Sequence, residues 1–325
     1  MKAVLCKTLG GPETLVIEDI GEPTAGAGEV VVRVKAAALN FFDTLIIEGK
    51  YQTKPALPFS PCGEIAGVVE AVGAGVTAWH PGDRVMAYLG YGGAREKAVV
   101  AAERLVAIPD GVSDEIASGI AITYGTALHG LRDRGALKPG ETVAILGASG
   151  GAGLAAVEVA KAMGGRVIAV ASRAEKLAVC RSHGADETLS TTATDFKDAL
   201  HGLSGGQGVD IVYDCVGGDL AEPAFRALAW KGRYLVVGFA SGDIPRLPLN
   251  LFLLKGAGAL GVFFGEAARR DPEGLAANLR YALDAVAAGQ LRPHVHSVLA
   301  IERIVEGLEL IRRREVVGKV VLTLG

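Results

Sequence analysis

The sequence predicts an α/β chain in two parts: a doubly wound parallel sheet in the middle, and a mostly antiparallel, partly closed β domain from the N-terminal third. Three observations carry this. Short β patterns, punctuated by glycine and proline turns, fill residues 1–120. The stretch Val143–Gly153 then runs from an apolar strand into a glycine-rich turn and a strong helix former. After it, strand and helix patterns alternate, as parallel sheets with crossover helices require.

In the first part, Met1–Leu5, Leu15–Asp19, Glu29–Ala38, Ile65–Val72 and Arg84–Ala87 read as strands. From Glu29 the pattern settles into apolar–polar alternation, the mark of a half-buried strand. Gly10-Gly11-Pro12, Gly26-Ala27-Gly28, Gly73-Ala74-Gly75 and Pro81-Gly82-Asp83 supply the turns. Three stretches here carry chemistry-bearing side chains: Ala38–Asp43 with Tyr51 nearby, Pro58–Gly67, and Thr123–Ala127. Each also has a plain structural reading. Asn40 and Asp43 suit the cap of a helix running toward Glu48, Glu64 suits a surface strand, and Tyr124 suits a core.

In the middle part, Val143–Leu146 reads as a buried strand and Leu154–Met163 as a helix. Between them Ser149, Gly150, Gly151, Ala152 and Gly153 form a turn of the kind that cradles a dinucleotide pyrophosphate against unpaired N–H groups at a helix start. Against the spacing G-x-G-x-x-G the first glycine is replaced by Ala148, and Gly147 offers the tight turn one residue early. Further strands are expected at Arg166–Ala171, Val209–Asp214, Arg233–Gly238 and Gly258–Phe263, with a helix at Ala174–Arg181. The second strand runs into Ser172 and Arg173, with Lys176 one turn later. A site for NAD usually places Asp or Glu there, on the ribose hydroxyls. Cations instead suit a 2′-phosphate, at about 1.5–3 kcal/mol per charge-assisted bond, so NADPH is the expected cofactor. The tail reads as a helix at Glu273–Ala288, a strand from Val295, a helix at Ile301–Arg312 and a strand at Val316–Thr323.

Composition narrows the classes. The 325 residues are 50% hydrophobic and 21% charged, with a formal net charge of -3, so neither nucleic acid nor an anionic membrane is the expected partner. The start, MKAVLCKTLG, has no long apolar region, and no run of eighteen apolar residues occurs, so a cytoplasmic protein without a membrane span is expected. Cys6, Cys62, Cys180 and Cys215 lie far apart and outside any C-x-x-C pair, which fits buried free thiols.

Asn40–Asp43, Pro58–Gly67, Pro81–Val85, Thr123–Thr126, Pro139–Val143, the glycine-rich turn and the closing Gly318–Leu322 occur in one order. In that combination the chain resembles, over essentially its whole length, the medium-chain dehydrogenase/reductase superfamily, in its zinc-independent NADPH:quinone oxidoreductase (zeta-crystallin-like) branch. The resemblance implies a Rossmann-type dinucleotide-binding domain at residues 123–264. It also implies a discontinuous GroES-like catalytic domain at residues 1–122 and 265–325. It puts Gly217, Gly238 and Phe239 beside the nicotinamide half, Thr126 on the carboxamide, and Phe263-Phe264 at the acceptor pocket. Asn40, Asp43, Tyr51 and Thr126 are the candidates to line the reacting cleft. Against the zinc enzymes of the superfamily, Asn40, Gly63 and Ser118 stand where Cys, His and Cys ligands would be. A catalytic zinc needs three N, S or carboxylate ligands, so no metal is expected. The implied reaction is metal-free hydride transfer to a quinone or an α,β-unsaturated carbonyl, by a homodimer pairing at the Gly258–Phe263 edge. One departure is Thr191, where related reductases often offer a tyrosine to the 2′-phosphate. An enoyl-thioester reductase and a non-catalytic NADPH-binding protein are the alternatives.

Overall fold

The computed structural model describes residues 1–324. In chain order, strands β1 (Lys2–Leu5), β2 (Val16–Asp19) and β3 (Glu29–Leu39) precede helix α1 (Phe41–Ile47). Strands β4 (Glu64–Val72), β5 (Arg84–Tyr88), β6 (Lys97–Ala101) and β7 (Leu105–Ala107) follow, then helices α2 (Asp114–Ser118) and α3 (Ile120–Leu128). The middle of the chain is β8 (Thr142–Leu146), α4 (Gly151–Ala162), β9 (Arg166–Ala171), α5 (Ala174–Ser182), β10 (Glu187–Ser190) and α6 (Phe196–Leu203), continuing with β11 (Val209–Asp214), α7 (Ala221–Arg226), β12 (Leu228–Val236), α8 (Leu249–Lys255) and β13 (Gly258–Gly261). The tail is α9 (Phe264–Arg270), α10 (Pro272–Ala287), β14 (Val295–Ala300), α11 (Ile304–Arg312) and β15 (Lys319–Thr323). Two compact units result: residues 1–122, 265–289 and 293–325 form one, and residues 123–264 and 290–292 the other.

The first unit is a GroES-like domain built on a seven-stranded sheet in the order β14-β15-β3-β4-β5-β7, with β6 also on β3. Every pairing in it is antiparallel except β14 with β15. Strand β3 meets β4, β6 and β15, so it is buried on both faces over most of its length rather than alternating. Val30, Val32 and Val34 of β3 pack with Ile65, Val69, Val320 and Leu322 in the core; each such side chain contributes about 1.5–3 kcal/mol. The last strand begins at Lys319, three residues later than the pattern suggests. Gly318 turns the chain at φ +71°, and a Cβ there would sit 2.2 Å from the His294 carbonyl oxygen.

The second unit is a Rossmann-type parallel sheet in the order β10-β9-β8-β11-β12-β13. Strand order reverses between β8 and β11, the point outside whose carboxyl ends open α/β sheets bind ligands. Its core joins Ile168, Val170, Val212, Phe225, Tyr234 and Leu251. Strand β10, at one edge, and helix α6 have no counterpart in the sequence reading, and β13 ends at Gly261 with α9 starting at Phe264. Among the described residues no helix is long and apolar enough to cross a membrane.

Candidate functional site

In the second unit the residues expected to hold a cofactor fall at the carboxyl ends of five parallel strands. Ser149–Gly153 follows β8, Ser172 and Arg173 follow β9, Gly217 follows β11, Gly238 and Phe239 follow β12, and Phe263 follows β13. The turn after β8 is made by Gly147 at φ +75°, one residue before the position the motif spacing assigns. Helix α4 then starts from Gly150 with no side-chain cap, so its first N–H groups point at whatever anion the turn receives. A Cβ on Gly153 would lie 2.2 Å from the Gly147 carbonyl oxygen and 2.8 Å from Ala148 Cα. The helix therefore rests on the turn at a distance only glycine permits, and the cradle fits a pyrophosphate.

Past β9, Ser172 and Arg173 are exposed. Arg173 has Glu175 at 4.0 Å, with both side chains largely in solvent. Lys176 differs from what the sequence suggests: it is buried on the inner side of α5, so only Arg173 of the two cations lies open. The loop after β11 is fixed from below. The Asp214 carboxylate accepts the N–H groups of Val216 (2.7 Å) and Gly217 (3.0 Å) on one oxygen and the Tyr234 hydroxyl (2.5 Å) on the other. Gly217 sits at φ +67°, and a Cβ there would press on Asp243 O and the Phe239 ring at 2.9 Å each. Phe239 and Phe263 present exposed rings, while Phe264 and Thr126 are buried. Asp214 was not among the expected residues; a carboxylate at a strand end, three residues before a double glycine, was the available signal.

In the first unit the structure draws Asn40, Asp43, Glu64 and Lys319 into one buried group. Lys319 Nζ donates to Leu39 O (2.8 Å), Asn40 Oδ1 (2.6 Å) and Glu64 Oε1 (2.8 Å), which uses all three ammonium protons. Asn40 Nδ2 donates to the same Glu64 oxygen at 3.0 Å, and the other Glu64 oxygen accepts the Ile122 N–H at 2.8 Å. Glu64 is thus fully buried, not a surface strand residue, because a lysine 255 positions later neutralises it. Asn40 does precede a helix, as its capping reading expects, and Asp43 Oδ2 accepts the Asn40 N–H at 2.8 Å. Asp43 Oδ1 accepts the Cys62 N–H at 3.0 Å. Burial pushes the Asp43 carboxyl up to about 7, against the pull of those two N–H donors and of Lys319. Cys62, at φ +68°, is buried and its thiol is pushed well up. Tyr51 stays partly exposed, stacked on Phe42 at 5.3 Å, and burial raises its hydroxyl above the ordinary value. Of the three first-unit candidates, then, Asn40 and Asp43 are consumed in the buried group and Tyr51 alone stays partly exposed.

These side chains do not suit a catalytic zinc. The Asn40 amide is spent on Lys319 and Glu64, and the Ser118 hydroxyl donates to Glu115 O at 2.9 Å. Gly63 has no side chain, and a Cβ there would meet the Phe42 ring at 2.7 Å and Gly90 O at 2.9 Å. The Lys319 ammonium is itself a buried cation, which would repel a second one. Among the described residues no three His, Cys, Asp or Glu side chains are grouped to hold a metal.

Two family models match the chain: an alcohol dehydrogenase GroES-like domain over residues 26–110, and a zinc-binding dehydrogenase over residues 151–280. A quinone oxidoreductase-like protein 2 homolog of Nematostella vectensis is 38% identical over 324 residues, spanning 99% of this chain and 88% of its own. A mycobacterial protein solved in complex with NADPH superposes with a TM-score of 0.92 at 30% identity, each chain covered in full. A protein described as an NAD-dependent alcohol dehydrogenase superposes at 0.91 with 33% identity, again over both whole chains.

Proposed function

Because the chain belongs to the medium-chain dehydrogenase/reductase superfamily, in its quinone oxidoreductase branch, it is an oxidoreductase, and we propose that it reduces a quinone or an α,β-unsaturated carbonyl with NADPH and without a metal. The observation that carries this reading is the uncapped start of α4 behind Gly147 and Gly153, with Arg173 open at the end of the next strand.

One structural neighbour carries NADPH and another is described as NAD-dependent, so the choice rests on this chain's own residues. No carboxylate directly follows β9; Ser172 and Arg173 do, and a 2′-phosphate would draw Arg173 away from Glu175. The cofactor supplies the hydride. The Ser149–Gly153 turn and the α4 N-terminus hold its pyrophosphate, and the Asp214-fixed loop at Gly217, with Gly238 and Phe239, borders the nicotinamide. Thr126 bonds the carboxamide. Quinones and enones delocalise the charge a hydride leaves behind, so no Lewis acid is needed. The enzyme's contribution is orientation and a hydrogen bond from the Tyr51 hydroxyl, a phenol that carries its proton at neutral pH. Asn40 and Asp43 serve as positioning residues through Glu64, Lys319 and the Cys62 backbone.

A second copy of the chain is the proposed partner. Strand β13 is a sheet edge. Near it Trp230, Leu249, Leu253 and Leu254 are 66%, 82%, 80% and 68% exposed, an apolar surface that soluble chains cover. Following NADPH absorbance with a panel of quinones, enones and enoyl thioesters, with and without chelator, tests the activity. Turnover on quinones or enones that survives the chelator is expected; turnover confined to enoyl thioesters, or abolished by chelator, would overturn it.

A further inference from the structure

Helix α4 does more than present its N-terminus. Two turns along it, Glu158 is buried and collects three segments of the second unit that are far apart in sequence. Its Oε2 accepts the Tyr124 hydroxyl at 2.6 Å and the Arg292 backbone N–H at 3.0 Å. Its Oε1 lies 2.6 Å from His183 Nδ1, at the C-terminal end of α5. A carboxylate buried this deeply costs several kcal/mol unless it is fully bonded, and here each oxygen is. Tyr124 stands two residues before Thr126 on α3, and two helical residues differ by about 200° in direction. Clamping Tyr124 onto α4 therefore turns Thr126 to the opposite face of the same helical turn. Immediately after, α3 widens into a π-helical turn at His129–Arg134, so the downstream chain imposes no α-helical register of its own.

We infer that Glu158 is a positioning residue that, through the Tyr124 hydroxyl, ties the Thr126 turn of α3 to the helix whose N-terminus receives the cofactor phosphates. The inference rests on the reading of Thr126 proposed above. It separates the two halves of the cofactor: the adenosine and phosphate end is held by residues that do not involve α3, whereas the nicotinamide end depends on it.

The test compares NADPH with adenosine 2′,5′-bisphosphate, which lacks the nicotinamide, by titration of the full-length protein and of two variants. Tyr124→Phe keeps the ring and removes one bond. It is expected to weaken NADPH by about three- to thirtyfold, the range of coupling through a packed network, and to leave adenosine 2′,5′-bisphosphate unchanged. Glu158→Gln keeps an acceptor oxygen for Tyr124 and Arg292 while its amide faces His183, whose ring can offer a lone pair in the other tautomer, so its NADPH affinity is expected to stay close to that of the parent. Tyr124→Phe weakening both ligands alike, or weakening neither, would overturn the assignment. Parent protein that binds neither NADPH nor NADH would remove the dinucleotide reading first, and this inference with it.

Discussion

Lys319 and Glu64 form an ion pair with almost no solvent contact. Removing one partner of such a pair leaves a bare buried charge, at a cost of about 3–5 kcal/mol, whereas replacing both by apolar groups of similar size costs far less. Lys319→Met is therefore expected to lower stability by that order in chemical denaturation, and Glu64→Leu in the same chain to recover much of it. Asp43 gives a pH signature. Its carboxyl titrates near 7 in the folded chain against an ordinary value of 3.8. Between those values the folded chain keeps a proton that the unfolded chain has lost, so this site's contribution is fully present below the lower value and falls away as pH rises through the upper one. Asp43→Asn should flatten that part of a stability-against-pH curve. It should also lower stability at every pH, since one amide oxygen cannot serve both the Asn40 and Cys62 N–H groups. At Arg173, reversal to Glu should raise the KM for NADPH at least tenfold, the loss of about one charge-assisted bond, and change that for NADH much less. Equal effects on both cofactors would remove the 2′-phosphate from this position.

The element that matters most is the β8–turn–α4 unit. Gly153→Ala places a methyl against the Gly147 carbonyl oxygen and Ala148, which are backbone atoms and cannot swing aside. The helix must lift from the turn, so dinucleotide affinity should drop at least tenfold, while Gly150→Ala, whose Cβ would meet only Gly147 O at 3.5 Å, should perturb the fold little. This element was legible in the sequence because all its parts are local: apolar strand, glycines and helix formers lie within about twenty residues. Two of the shortest strands were not, although the four-residue β1, β2 and β13 were. Strand β7 spans Leu105–Ala107 and β10 spans Glu187–Ser190, too short for a period to emerge. The buried groups were legible only as residue types. Nothing local to Glu64 shows that Lys319 neutralises it, nor does anything beside Glu158 announce Tyr124, His183 and Arg292. Such pairings are made by topology, so Glu64 reads as a surface residue and Lys176 as an open one until the sheet and helices are in place.

At the scale of the whole molecule, one chain contributes two units of different kinds, and the order β10-β9-β8-β11-β12-β13 fixes which strand ends can receive a dinucleotide. The proposed dimer rests on the uncovered apolar surface by β13 and α8. Leu253→Asp should shift the protein from dimer to monomer in light scattering with its helix content unchanged; a monomeric parent protein would remove that proposal. The most direct measurement is a fluorescence titration of purified protein with NADPH, repeated with NADH. Saturable quenching or a shift of NADPH emission, at concentrations well below those needed for NADH, is the predicted result. No change with either nucleotide would contradict the assignment of the Gly147–Gly153 turn as a phosphate cradle, and the reductase with it.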